Sequence, residues 1–97
     1  MTEFTDAQQM AIEHPNTFAA PSLAELSMIA PGCHVKICAG SERFWVLVTA
    51  VTRTCIQGTI DNVLVRSSEH GLFFNDPVSF EARHVYDILG KRAWKTH

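Results

Sequence analysis

Residues 42–52 read ERFWVLVTAVT and residues 55–61 read CIQGTID. The first stretch is dense in β-branched and aromatic side chains, the types that suit a pleated surface. Phe44, Val46, Val48 and Ala50 fall on one face, and Trp45, Leu47 and Val51 on the other, interrupted by Thr49. Apolar residues on both faces describe a strand covered on both sides, as a central strand is. Only Arg53 and Thr54 separate the two stretches, so the second returns as a hairpin partner. Ile56 and Ile60 then share one face, with Cys55, Gln57 and Thr59 on the other. Gly58 sits in mid-strand, where glycine marks a bulge or sharp bend.

Upstream, His34–Cys38 (HVKIC) alternates, with Val35 and Ile37 on one face, and Ala39-Gly40-Ser41 forms the turn into the central strand. Downstream, Val63–Arg66 reads as a further short strand and Ser67–Asn75 as a loop containing His70-Gly71 and the apolar Leu72, Phe73 and Phe74. Asn75-Asp76-Pro77 is a turn. Val78, Phe80 and Ala82 alternate against Ser79, Glu81 and Arg83, which predicts a strand with one wet face. Val85, Ile88 and Leu89 predict a bend or helical turn that closes the fold.

The first third has different periodicity. Thr5-Asp6-Ala7-Gln8 and Ser22-Leu23-Ala24-Glu25 both have capping-box spacing. The first opens a helix that Pro15 stops; the second opens one whose apolar face is Leu23, Leu26 and Ile29 or Ala30, ended by Pro31-Gly32. Between them HPNTFAAP (His14–Pro21) is irregular, with Phe18 as an anchor onto the body. The fold class is therefore α+β: a small antiparallel sheet, or a partly open SH3-like barrel, with two short N-terminal helices. Curling is a common remedy for the exposed edges of so small a sheet. Residues 1–32 form a helical arm, 33–89 the sheet or barrel and 90–97 a flexible basic tail in which Trp94 could pack, all within one domain.

The 97-residue chain is long enough for one small core and too short for two ordinary domains. No apolar run approaches the ~20 residues that span a bilayer. The start, MTEFTDAQQMAIEH, lacks the basic and apolar regions of a secretory signal. The odd set Cys33, Cys38 and Cys55 argues against a disulfide framework and fits a reducing cytoplasm. Net charge is −2, unevenly placed: Glu3, Asp6, Glu13 and Glu25 make the arm −4, whereas residues 33–97, with eight basic and six acidic side chains, carry +2. That is not the balance of a dedicated nucleic-acid binder.

The segment His14–Ile88 resembles a family of small bacterial domains of unknown function. The resemblance lies in HPxTFxxPSxxEL (His14–Leu26), PGxxVKI (Pro31–Ile37), ERFWVxVT (Glu42–Thr49), GxxDN (Gly58–Asn62), HGL (His70–Leu72) and VxFExRHVxDI (Val78–Ile88). The chain departs from that pattern at Cys33, where aspartate is usual, at Val63-Leu64, where Asp-Pro often stands, and at Asn75, where glycine stands. The resemblance implies a domain unit and brings no activity or cofactor with it.

Several groups could carry chemistry. His34 and Cys38 share a strand face, and Cys55 and His84 could approach them. A structural zinc needs about four such ligands, usually at CxxC or HxxxH spacing, and neither occurs. A Cys55 or Cys33, His84 and Asp87 triad has the residue types for nucleophilic catalysis, but no nucleophile elbow, phosphate loop or HExxH accompanies it. No catalytic, metal or cofactor site is therefore expected.

Glu42, Arg43, Trp45, Asp61 and Asn62 converge in the hairpin. Their ordinary reading is strand termination by Asp61-Asn62 with an Arg43–Asp61 ion pair; their functional reading is a polar contact rim around Trp45. His70 with His84 and Asp87 could sense pH, or simply pin the HGL loop to the last strand. Phe44, Trp45, Arg53, Arg66 and Arg83 could serve a nucleic-acid-binding barrel, the alternative function. The reading preferred from the sequence is a non-catalytic interaction module of the bacterial cytoplasm, an immunity or regulatory factor engaging a protein partner. Its binding residues would be Glu42, Arg43, Trp45, Asp61, Asn62, His70, His84 and Asp87, and a homodimer could form through a strand edge or the arm.

Overall fold

The computed structural model describes residues 3–89. Along the chain come α1 (Ala7–Glu13), α2 (Leu23–Leu26), β1 (His34–Ala39), β2 (Glu42–Val51), β3 (Ile56–Ile60) and α3 (Ser67–His70). β4 (Pro77–Phe80), a 3-10 turn (Ala82–His84) and β5 (Asp87–Leu89) follow. All strand pairs are antiparallel, in the order β4-β3-β2-β1-β5, and the sheet is not closed. The proposed tail at 90–97, with Trp94, lies outside the described residues.

The inward face follows the period-two pattern. Val35, Ile37 and Ala39 of β1, Phe44, Val46 and Val48 of β2, Ile56 and Ile60 of β3, and Val78 and Phe80 of β4 form one buried cluster with Ile29 and Val85. The alternation places Val35, Ile37 and the named residues of β2, β3 and β4 on the correct face, but Ala39, expected in the turn, ends β1, and Ala50 leaves the core face. The ladder slips between Val48 and Ala50, so that beyond Thr49 it is Val51 that pairs with Ile56, and Ala50 with Gln57. The bulge therefore turns Ala50 off the core face. It lies on β2, not at Gly58 itself. Gly58 is glycine because β2 passes too close: a Cβ there would stand 2.4 Å from the Leu47 carbonyl oxygen and 2.6 Å from Val46 Cγ1.

Two predicted strands change. Val63–Arg66 is not a strand, because the Val65 and Arg66 amides donate to the Glu42 carboxylate, each at 2.9 Å, and not to a neighbouring strand. The last predicted strand stops at Phe80: the His84 and Val85 amides donate back to the Glu81 and Ala82 carbonyls, making the 3-10 turn that precedes β5.

The arm docks on its own sheet. Its first cap is Asp6, one residue later than predicted, accepting from the Gln9 amide at 2.9 Å. Thr5 is extended there, its amide donating to the Cys38 carbonyl at 2.9 Å, and Phe4 bridges to Ala39. The Ser22–Glu25 capping box forms as predicted. The helix it starts has only four residues, so Leu26 and Ile29 reach the core while Leu23 stays 84% exposed. Ala7, Cys38 and Tyr86 form a second buried cluster, with Phe18 and Ala20 against it, so Phe18 does anchor the linker. The two described helices of the arm and α3 are far shorter than a membrane span, and no described helix is long and apolar enough to cross one.

Gly58→Ala should lower unfolding free energy by about 2–3 kcal/mol, because the contact it makes is with backbone, which cannot step aside. Gly71→Ala, at φ 73° with open space around it, should cost only about 1 kcal/mol of left-handed strain. Urea denaturation of both variants checks the order of the two effects.

Candidate functional site

The long connection from β3 to β4 is held by one carboxylate. Glu42 opens β2 and points inward beneath residues 62–76. Besides the Val65 and Arg66 amides it accepts from His70 Nε2 at 3.0 Å. His70 is buried against the Phe44 ring, centroids 6.0 Å apart, and its Nδ1 accepts from the Leu72 amide at 3.1 Å. An Nδ1 that accepts carries no proton, so the neutral ring presents Nε2–H to Glu42. Burial opposes ionisation of Glu42, but the bonds from His70, Val65 and Arg66 outweigh it and hold its pKa below the ordinary 4.5.

The same connection is closed at its far end. Ser67 Oγ donates to the Leu72 carbonyl at 2.6 Å, and the Phe73 amide donates to the Asp76 carboxylate at 2.9 Å. Asn75 has φ 72°, the left-handed region that asparagine tolerates better than most side chains. It occupies the position where the resembled pattern has glycine. So pinned, the connection turns Val63 (78% exposed), Val65 (84%), Phe73 (60%) and Phe74 (55%) to solvent.

The predicted rim does not assemble as one site. Asp61 makes no ion pair with Arg43; its carboxylate lies 2.8 Å from Nε2 of the buried His34. Asn62 Oδ1 accepts from the Trp45 amide at 2.8 Å, and the Asp61 amide donates to the Trp45 carbonyl at 2.9 Å, so this pair does cap the hairpin. Arg43 lies on the opposite face from Glu42, stacked over the rings of Tyr86 (4.6 Å) and Phe18 (5.2 Å). Trp45, half-buried, carries Lys36 Nζ 4.8 Å from its ring.

His70 pins its loop to the start of β2 through Glu42. Asp87 is exposed, its carboxylate accepting from the Ile88 amide at 2.8 Å. His84 is buried beside Phe4, ring centroids 6.0 Å apart, and its Nδ1 accepts from the Glu81 amide at 3.0 Å. Burial and the neighbouring Arg83 push its pKa below the usual value, against the pull of Glu81 and Asp6. Arg83 reaches Asp6 at 2.9 Å and Glu81 at 3.2 Å.

His84 lines an open groove of about 630 Å³ together with Cys55, Ser79, Phe80, Glu81 and residues of the arm. Hydrogen bonds with the Thr52 and Ser79 hydroxyls lower the pKa of the Cys55 thiol. Cys38 lies instead in the arm cluster, and Cys33 caps the approach to β1, its carbonyl accepting from the Val48 amide. No group of three or more His, Cys, Asp or Glu among the described residues could hold a metal ion.

Two features escaped the sequence reading. The exposed quartet lay in stretches assigned to a strand and a loop, and nothing in its composition separated solvent-facing from core residues. The groove joins residues from three separated stretches of chain. No protein-family model, curated protein or solved structure significantly matches this chain.

Glu42→Gln should destabilise the fold by about 1–3 kcal/mol, since the amide NH2 meets donors where the carboxylate accepted. Because the folded pKa is the lower one, the ionised group contributes fully above the ordinary 4.5, and the contribution is lost as pH falls through the folded value. The gap between wild type and variant in urea midpoints should therefore be widest near neutral pH and close in acid.

Proposed function

We propose that this protein is a non-catalytic interaction module, and that its β3–β4 connection engages a protein partner. The observation that carries this reading is the set Val63, Val65, Phe73 and Phe74, apolar side chains kept in solvent on a segment tied down by buried polar bonds. Apolar residues gathered on a rigid surface mark contact sites, and a pinned loop loses little entropy on binding. Trp45, Asn62 and Asp61 stand at the base of this segment as polar flank.

In this reading the sheet is a partly open SH3-like barrel, supported by the 3-10 turn that carries the chain from β4 at one edge to β5 at the other. The three free thiols favour a reducing bacterial cytoplasm, consistent with a member of the small-domain family that the sequence resembles. A role as an immunity or regulatory factor would use the same surface. The nucleic-acid alternative has less support: Phe44 is buried, Arg66 pairs with Glu69, and Arg83 pairs with Glu81 and Asp6.

The double variant Phe73→Ser/Phe74→Ser tests the reading. Tagged wild-type protein should capture a near-stoichiometric protein from a lysate of its own cells, and the variant, with an unchanged thermal midpoint, should not. Equal capture by both proteins, or capture of nucleic acid in a steeply salt-dependent manner, would overturn it.

A further inference from the structure

The sheet ends in two short edge strands, β5 (Asp87–Leu89) beside β1 and β4 (Pro77–Phe80) beside β3. Along β1 the edge is covered in two halves: β5 pairs with His34–Lys36, and the arm takes over beyond, through Thr5 N to Cys38 O and the Phe4–Ala39 bridge. β4 ends the strand order on the other side, and no described strand pairs with its outer edge. An edge of that kind is a template for an added strand.

The groove lies at the far end of β4, between Ser79–Glu81, the arm residues Glu3 and Phe4, and the turn residues Thr54 and Cys55. Its wall holds one polar group with unused capacity. His84 is only 8% exposed, and its Nδ1 is occupied by the Glu81 amide. The proton of the neutral ring therefore sits on Nε2, which has no hydrogen-bond partner among the described residues. His84 lines the groove, so this N–H is a donor that solvent reaches and that a peptide carbonyl can take over.

The charge of the wall is also one-sided. Glu3 and Glu81 line it against Arg83 alone, and Arg83 is already engaged by Glu81 and by Asp6 behind it. Negative charge is in surplus, next to the rings of Phe4 and Phe80, which pack edge to face at 6.1 Å. Carboxylates beside aromatic faces suit a cationic side chain.

We infer that this groove takes an extended segment of a partner protein, added as a strand to β4, with one carbonyl on His84 Nε2–H and a lysine or arginine side chain toward Glu3 and Glu81. Backbone pairing supplies the orientation, and the acidic wall selects the basic residue. The site is separate from the β3–β4 connection, which enters β4 at Pro77, the opposite end, so either surface can fail without the other.

The probe is the capped hexapeptide acetyl-Lys-Val-Lys-Val-Lys-Val-amide, titrated into the ¹⁵N-labelled full chain. Amide shifts should saturate at residues 78–84 and leave Val63–Phe74 unmoved. The Glu-Val-Glu-Val-Glu-Val counterpart should bind about tenfold more weakly, the effect of two exposed charge contacts. His84→Phe keeps an aromatic ring but removes the Nε2–H donor together with the Nδ1 acceptor of the Glu81 amide, and should weaken the basic peptide severalfold while the amide shifts of β1–β3 stay in place. Glu3→Lys, at an exposed position, should narrow the gap between the two peptides. Methylating alternate amides of the basic peptide should abolish binding for one of the two registers.

Equal affinity for both peptides would overturn the assignment, as would shifts confined to other residues or no shift at millimolar peptide. Full affinity in His84→Phe would remove the donor from it. A concentration-dependent dimer in sedimentation that the peptide does not dissociate would give the edge to a second copy of the chain instead.

Discussion

The chain must travel from one edge of the sheet to the other in the six residues 81–86. A flat sheet of five strands would place those edges ~19 Å apart. A segment of that length could reach so far only by running almost straight, and its 3-10 bonds turn it back on itself. The sheet therefore bends round its core until Phe4, bridged to Ala39 of β1, touches Phe80 of β4. One apolar side chain from the arm fills the gap that hydrogen bonding between strands leaves open. Almost everything else follows from this curl: a main buried cluster that draws on four strands, an arm folded onto its own sheet, and a groove beside the seam.

Inside that frame the polar residues divide by burial. Glu42, His70 and His34 are internal fasteners whose partners are within the molecule. They serve binding only indirectly, by holding the β3–β4 connection in a shape that leaves four apolar side chains uncovered. A pinned loop with apolar tips and an acidic seam with an unused imidazole donor are different surfaces, and they favour different partners: a complementary apolar patch and an extended basic strand.

Much of this was readable from residue order. The alternation through Phe44, Val46 and Val48, the return strand at Ile56 and Ile60, and the Ser22–Glu25 box all depend on neighbours close in the chain. What was not readable depends on distant ones. Ala50 leaves the core because of a bulge that only the opposing strand reveals. Val63–Arg66 has the composition of a strand, but its amides are claimed by a carboxylate more than twenty residues earlier. Arg43 and Asp61 have opposite charges and adjacent strands, yet Arg43 points to the outer face, where Phe18 and Tyr86 offer aromatic surface. Among the candidate site residues, the end of the strand at Asp61-Asn62 was legible, whereas the acceptance of the Trp45 amide by Asn62 across the hairpin was not. The carboxylate partners of His34 and His70 were set by folding over long separations, as was the packing of His84 against Phe4.

The most direct test of the account is a nuclear Overhauser spectrum of the full chain, read at the Phe4 ring. Cross-peaks from Phe4 to both the Phe80 ring and the Ala39 methyl are predicted, because the arm residue joins the two ends of a bent sheet. A Phe4 ring that shows contacts to neither, while the β1–β2 and β2–β3 ladders remain intact, would contradict it.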